Sequence, residues 1–349
     1  MLTRVNDLLL RACRLEPTVR TPVWFMRQAG RYQREYRELR ERHELLDICR
    51  TPELAARVTR LPVEQLGVDA AILFSDIAVP LLGMGVEVRI EEGRGPVIES
   101  PLRSRSDVQR LKRLDPDADV PFVAQAVRGL IRELDVPLIG FSGAPFTLAS
   151  YLIEGGSSRT FARTKALMIG EPTTWHELME RLSEMVLTYL RAQVQAGATV
   201  IQLFDSWVGA LSPQDYERSV LPYVRPIFDG LQGLGVPRIH FGVGTGELLG
   251  HMRDAGADVV GVDWHVPLDV AWERLGPNVA VQGNLDPAAL LASWDAVEER
   301  ARDVLERAAG RPGHVFNLGH GVLPGTPPET LRKLVELVHD VTERERVRS

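Results

Sequence analysis

Asp69-Ala70-Ala71-Ile72-Leu73-Phe74, closing on Ser75-Asp76, carries the unit from which this 349-residue chain is built. An apolar run of strand length stops at polar residues, and a helical stretch follows. The unit recurs at residues 23–26, 137–141, 199–204, 238–241, 259–262, 279–282 and 314–318. Eight strand–helix units predict an α/β chain with a closed parallel barrel rather than an open doubly wound sheet, although periodicity alone does not separate the two. No linker, internal repeat or low-complexity tract interrupts them, so residues 1–349 read as one domain. Residues 86–90 and 96–99, joined through Glu91-Glu92-Gly93-Arg94-Gly95, predict a small β-hairpin beside the barrel. Helix starts are marked by Thr51-Pro52, Ser212-Pro213 and Asp286-Pro287, with a capping box expected at Thr326-Pro327-Pro328-Glu329. Residues 104–121 read as a charged, exposed connection.

Composition narrows the function. Apolar residues make up 44% and charged residues 25%, an ordinary globular balance with ample material for a core. A net charge of −6 argues against broad nucleic-acid or membrane-surface binding. An anionic ligand must then be held by individually placed cations. Cys13 and Cys49 are the only cysteines and show no paired spacing, which argues against a disulfide framework or a structural zinc site. Residues 1–14 lack the form of a signal peptide, and no apolar run is long enough to span a bilayer. A reducing cytoplasm is the expected setting. None of Lys112, Lys165 and Lys333 ends an expected strand, which sets aside a Schiff-base aldolase.

Ligands of a barrel meet residues at the carboxyl ends of its strands. Those ends read Arg27, Ser75-Asp76, Ser142-Gly143, Asp205-Ser206, residues 242–246, Asp263-Trp264-His265, Gly283-Asn284 and Gly319-His320-Gly321. In Pro22-Val23-Trp24-Phe25-Met26-Arg27-Gln28-Ala29-Gly30-Arg31-Tyr32, a buried-strand pattern opens directly into two arginines about one helical turn apart. Guanidinium is permanently charged and planar, suited to gripping carboxylate or phosphate with two hydrogen bonds, and Gly30 allows a turn or a close ligand. The pair points to a pocket for a multiply anionic small molecule; ion pairs within the fold are the bland alternative. Asp76 stands at the mouth of an apolar core, where it serves either as a site carboxylate or as a cap. Asp205 reads as a structural partner, leaving Ser206 to face the cavity. His320, between glycines, reads as ligand-contacting, whereas His240 and His265 read as core histidines. The segment Gly140-Phe141-Ser142-Gly143-Ala144-Pro145-Phe146-Thr147-Leu148-Ala149-Ser150-Tyr151 offers small residues and aromatic walls to a broad flat ligand. Tyr151 either points its hydroxyl there or packs its ring in the core. The glycines of residues 242–250 miss the G-x-G-x-x-G spacing, so dinucleotide binding gains little support.

Together, residues 22–32, 74–77, 140–155, 204–207, 281–287 and 317–328 resemble the uroporphyrinogen decarboxylase family over nearly the whole chain. The resemblance implies a distorted (β/α)8 TIM barrel, a homodimer, and decarboxylation of the four acetate groups of uroporphyrinogen III without metal or organic cofactor. It implies Arg27 and Arg31 at the substrate carboxylates, Gln28, Ala29 and Gly30 as substrate-binding residues between them, and Asp76 at the pyrrole N–H groups. Tyr151, Ser206 and His320 are implied as further contacts. Asp76, Arg27 and Tyr151 are the residues expected to carry the chemistry. The proton donor stays open among Arg27, Tyr151, His320, water and a substrate carboxyl, since a guanidinium is a poor acid. Leu45 stands where the family often has phenylalanine. Two rivals remain. Corrinoid-linked methyltransferases share the fold but place a His-x-Cys zinc pair where this chain has His240-Phe241-Gly242. A non-catalytic tetrapyrrole carrier would bind without releasing carbon dioxide.

Overall fold

The computed structural model describes residues 6–91 and 95–343. Its strands are β1 (Ala71–Ile72), β2 (Val88–Glu91), β3 (Gly95–Ile98), β4 (Leu138–Gly143), β5 (Val200–Asp205), β6 (Arg238–Gly242), β7 (Val259–Gly261), β8 (Ala280–Gln282) and β9 (His314–Val315). Seven of them form one parallel sheet in the order β1-β4-β5-β6-β7-β8-β9, with helices in the connections. All six residues of β4 are buried, as a sheet covered on both faces requires. The covering helices are amphipathic. Pro328–Thr342, for example, buries Leu331, Leu334, Val335 and Val338, the i, i+3, i+4, i+7 stripe of a helix lying on a core.

The sheet curls. Trp24 Nε1 donates to Gln282 Oε1 at 3.0 Å, and Gln282 Nε2 donates to Gln202 Oε1 at 3.1 Å. All three side chains are buried, so this chain of bonds links β5 and β8, which are not neighbours, through the interior. Phe141, Phe204 and Phe241, on three successive strands, add edge-to-face contacts at 5.4 and 6.0 Å. At the opposite end of the strands, buried Asp69 accepts from Asn6 Nδ2 and the Val23 N–H, and pairs with His339 Nε2 at 2.7 Å. One carboxylate thereby ties the two ends of the described chain together.

The 23–26 stretch departs from its expected strand. It forms a single parallel bridge, Val23 with Phe316, while the Val23 carbonyl accepts from Asp69 N on the other side. Side chains capture the next two amides. Phe25 N–H goes to Gln28 Oε1 at 3.1 Å and Met26 N–H to Asn317 Oδ1 at 3.1 Å, so no ladder continues. The hairpin forms as β2 against β3, antiparallel, Val88 opposite Ile98; residues 92–94 of its turn lie outside the described residues. Ser212 and Asp286 cap as expected, while the Thr51 hydroxyl turns back to the Asp47 carbonyl. The box at Thr326 does not form, because the helix starts only at Pro328 and Glu329 sits too early in it. A true capping box stands instead at Ser104 and Asp107, inside the stretch read as plain connection.

Candidate active site

Arg27, Asp76, Tyr151 and His320 come from four separate places in the chain and meet at the carboxyl ends of the strands. Arg27 follows the bridge at Val23; Asp76 lies just beyond β1; Tyr151 lies in the helix Pro145–Glu154 after β4; His320 follows β9. Their charges act on one another. Burial pushes the Asp76 carboxyl above its ordinary range, and the Ala78 N–H and the Arg27 guanidinium pull it part of the way back. Burial raises the Tyr151 hydroxyl, Asp76 raises it further, and Arg27 opposes both. Burial and then Arg27 bring the His320 imidazole down to about 4, with Asp263 opposing. His320 is therefore neutral at physiological pH. The Gly321 N–H donates to its Nδ1 at 2.6 Å, which leaves the ring proton on Nε2.

Of the two roles foreseen for Asp76, the cap is the one its hydrogen bonds display. Its Oδ1 accepts from Ala78 N at 2.8 Å and caps the turn, while Oδ2 accepts no hydrogen bond among the described residues. Arg31 is exposed, and its charge, like that of Asp76, acts on the hydroxyl of Tyr36. Tyr151 lies against Trp207 with ring centroids 4.0 Å apart, and Phe161 meets the indole from another side at 5.2 Å. Half-buried Tyr151 thus packs its ring on an aromatic neighbour, while the charges of Asp76 and Arg27 act on its hydroxyl. Ser206 precedes Trp207 and is likewise half-buried. Fully buried Thr147 fixes this corner. Its hydroxyl donates to Asp205 Oδ1 at 2.9 Å and accepts from Trp207 N at 3.3 Å, which makes Asp205 the structural partner anticipated.

The 27–31 segment does not present itself as a uniform contact strip. Gln28 is fully buried, with Oε1 held by Phe25 N and Nε2 bound to the Ala70 carbonyl at 3.0 Å. Its side chain braces the loop rather than lining the cleft. Ala29 and Gly30 are half-buried, and the Gly30 N–H goes to Gln33 Oε1 at 3.2 Å. The left-handed turn falls on Arg27, φ 57°, not on Gly30. Gly321 has a steric duty: a Cβ there would come 2.4 Å from Arg27 Cδ and 2.6 Å from Cγ.

Several neighbours escaped the reading of the sequence. Trp207 and Phe161 complete the aromatic wall, and Phe241 meets the His320 ring edge-on at 6.3 Å. A tryptophan directly after a serine at a strand end was the available signal for the first. His265 is exposed, not core: it stacks on Trp264 at 4.6 Å and binds Asp263 Oδ2 through Nδ1 at 2.8 Å. His240 is buried, yet neither ring nitrogen finds a hydrogen-bond partner among the described residues. The glycine loop after β6 serves the fold, since the Gly244 N–H binds Asp263. Both cysteines are buried, and burial pushes the Cys13 thiol up to about 12. Among the described residues no group of three or more His, Cys, Asp or Glu side chains could hold a metal ion. None of the described helices is long and apolar enough to cross a membrane. Leu45 opens the helix Leu45–Arg50, half-buried.

The family model "Uroporphyrinogen decarboxylase (URO-D)" matches residues 4–341. A uroporphyrinogen decarboxylase of Streptomyces coelicolor is 59% identical over 340 residues, covering 97% of this chain and 96% of the relative. One from Thermus thermophilus is 58% identical over 337 residues, covering 97% and 98%. Among solved structures, a methyltransferase from Methanosarcina mazei superposes with a TM-score of 0.77 over 97% of this chain and 99% of its own, at 22% identity. At that identity the likeness concerns the fold alone.

Proposed function

The chain belongs to the uroporphyrinogen decarboxylase family, and from that premise we propose how its cleft performs the family reaction. The activity is that of a carboxy-lyase: the four acetate side chains of uroporphyrinogen III each lose carbon dioxide, leaving the methyl groups of coproporphyrinogen III. Protonation of the α-carbon next to the ring carbon that bears an acetate turns the pyrrole into an electron sink. The bond from the acetate methylene to its carboxylate then breaks, and its electron pair flows into the ring as carbon dioxide departs. A proton taken up by the methylene, with return of the ring proton, gives the methyl group. One proton is consumed in each round.

The single observation that carries this reading is the meeting of Arg27 with Asp76 beside Tyr151 and His320. Asp76 supplies the negative charge that faces the ring cation, and such a charge is most effective once bound substrate has displaced water from around it. Its uncapped oxygen is free to accept pyrrole N–H groups. Arg27 and Arg31 take substrate carboxylates. At about 1.5–3 kcal/mol net for each hydrogen bond to a charged group, two such grips reach much of the roughly 8 kcal/mol behind micromolar affinity. Tyr151 and Trp207 offer a flat wall, while Ser206 and His320, through Nε2–H, supply polar contacts. Gln28, Ala29 and Gly30 contribute by shaping the loop between the arginines.

We read the curled sheet as a closed, distorted (β/α)8 barrel, supported by the bonds that join the Val23 stretch to Phe316 on one side and Asp69 on the other. A homodimer acting in the cytoplasm, without metal or organic cofactor, completes the proposal. The test is anaerobic incubation of the protein with enzymatically generated uroporphyrinogen III, followed by chromatography of the oxidised products. Coproporphyrin is expected, together with species carrying seven, six and five carboxylates. Tight porphyrin binding with no loss of carboxylates would favour a carrier instead.

A further inference from the structure

We propose that Asn317 and Gln28 are positioning residues that hold Arg27 in its left-handed conformation and so aim its guanidinium at the cleft. The inference rests on the site reading just given and adds to it how the key cation is held. At φ 57° a long non-glycine side chain is strained by roughly 1 kcal/mol or more, and such a residue persists only where its surroundings over-determine it.

Both neighbours of Arg27 are pinned. On the N-terminal side, Met26 N–H donates to Asn317 Oδ1 at 3.1 Å, and the Met26 carbonyl accepts from Val322 N at 2.9 Å. On the C-terminal side, Gln28 N–H returns to the Phe25 carbonyl at 3.0 Å, and the Tyr32 hydroxyl donates to the Gln28 carbonyl. The Gln28 side chain closes the turn by accepting from Phe25 N and donating to Ala70 O, just ahead of β1. Asn317 Oδ1 also accepts from Leu318 N at 2.8 Å, so one oxygen ties the Arg27 turn to the segment that leads into His320. The other half of that amide tells the same story. Asn317 is fully buried, and its Nδ2 has no hydrogen-bond partner among the described residues. An unsatisfied buried donor opposes folding, so it is the oxygen, shared by the Met26 and Leu318 amides, that the position requires.

A double-mutant cycle on kcat/KM separates positioning from a merely structural role. Misplacing a charge by about 1 Å costs up to about 100-fold, so Asn317→Ala should lower kcat/KM by at least tenfold and split kcat from KM as Arg27→Ala does. In the Arg27→Ala background the same substitution should change kcat/KM less than about twofold, because its route of action is gone. Asn317→Asp keeps the acceptor oxygen and should restore most of the activity. Equal losses in both backgrounds, or an Asp variant as poor as the Ala variant, would overturn the proposal. If Asn317→Ala does not fold, Gln28→Leu takes its place in the same cycle, with Gln28→Glu, which keeps the acceptor for Phe25 N, as the rescuing variant. A fully active Arg27→Ala enzyme would instead sink the underlying site reading.

Discussion

Asp76 is pulled in two directions. Burial favours its neutral form, while Arg27 and the Ala78 amide favour the carboxylate. If the charged form faces the ring cation, activity is present above the Asp76 pKa and lost as pH falls through it. The acid limb of kcat/KM should then lie above the ordinary carboxylate range. Removing the Arg27 charge takes away one of the two restraints, so Arg27→Gln should move that limb to still higher pH on the residual activity. Both enzymes see the same substrate carboxylates, so the difference between their profiles belongs to the protein. A limb that stays in place, or moves down, would show that Arg27 does not act on the titrating group. Tyr151 leaves this limb alone, since burial holds its hydroxyl protonated.

Elements differ in how openly the sequence displays them. Seven expected strands are seen at their places in one sheet, because a buried parallel strand is a continuous apolar run whatever surrounds it. The 23–26 run has the same composition but loses its ladder to Gln28 and Asn317. Asn317 lies 291 residues along the chain from Met26, a distance at which local pattern carries no information. The same limit hid the left-handed turn at Arg27, where the sequence offered only Gly30 as a residue that allows a turn or a close ligand. Positions at strand ends were legible: Arg27, Asp76, Ser206 and His320 follow directly from where apolar runs stop. Partners reached through space were not. Trp207 against Tyr151, and Thr147 between Asp205 and the Trp207 amide, depend on how a helix lies over the sheet. The glycines flanking His320 were read as exposing the ring, yet Gly321 mainly clears a path for the Arg27 stem.

At the scale of the molecule, buried polar groups link stability to pH. His314 on β9 is buried, with Nε2 on the Gly283 carbonyl at 3.0 Å and Nδ1 without a partner among the described residues. Burial brings its imidazole down to about 4. Above about pH 6.5 neither folded nor unfolded chain protonates it, and it costs nothing. Below that the unfolded chain takes up the proton first, so stability falls as pH drops toward 4, by roughly 2 kcal/mol at pH 5 from this group. Urea denaturation at pH 7 and pH 5 should show His314→Gln losing correspondingly less stability than the parent chain; an equal loss would refute the assignment. The same tertiary organisation gathers Arg27, Asp76, Tyr151 and His320 from segments spread along almost the whole chain. That gathering is the central claim, and turnover by Asp76→Ala tests it most directly. Anaerobic assays with uroporphyrinogen III should show a loss of at least about 100-fold while circular dichroism stays that of the parent. Near-normal release of carbon dioxide by this folded variant would contradict the account.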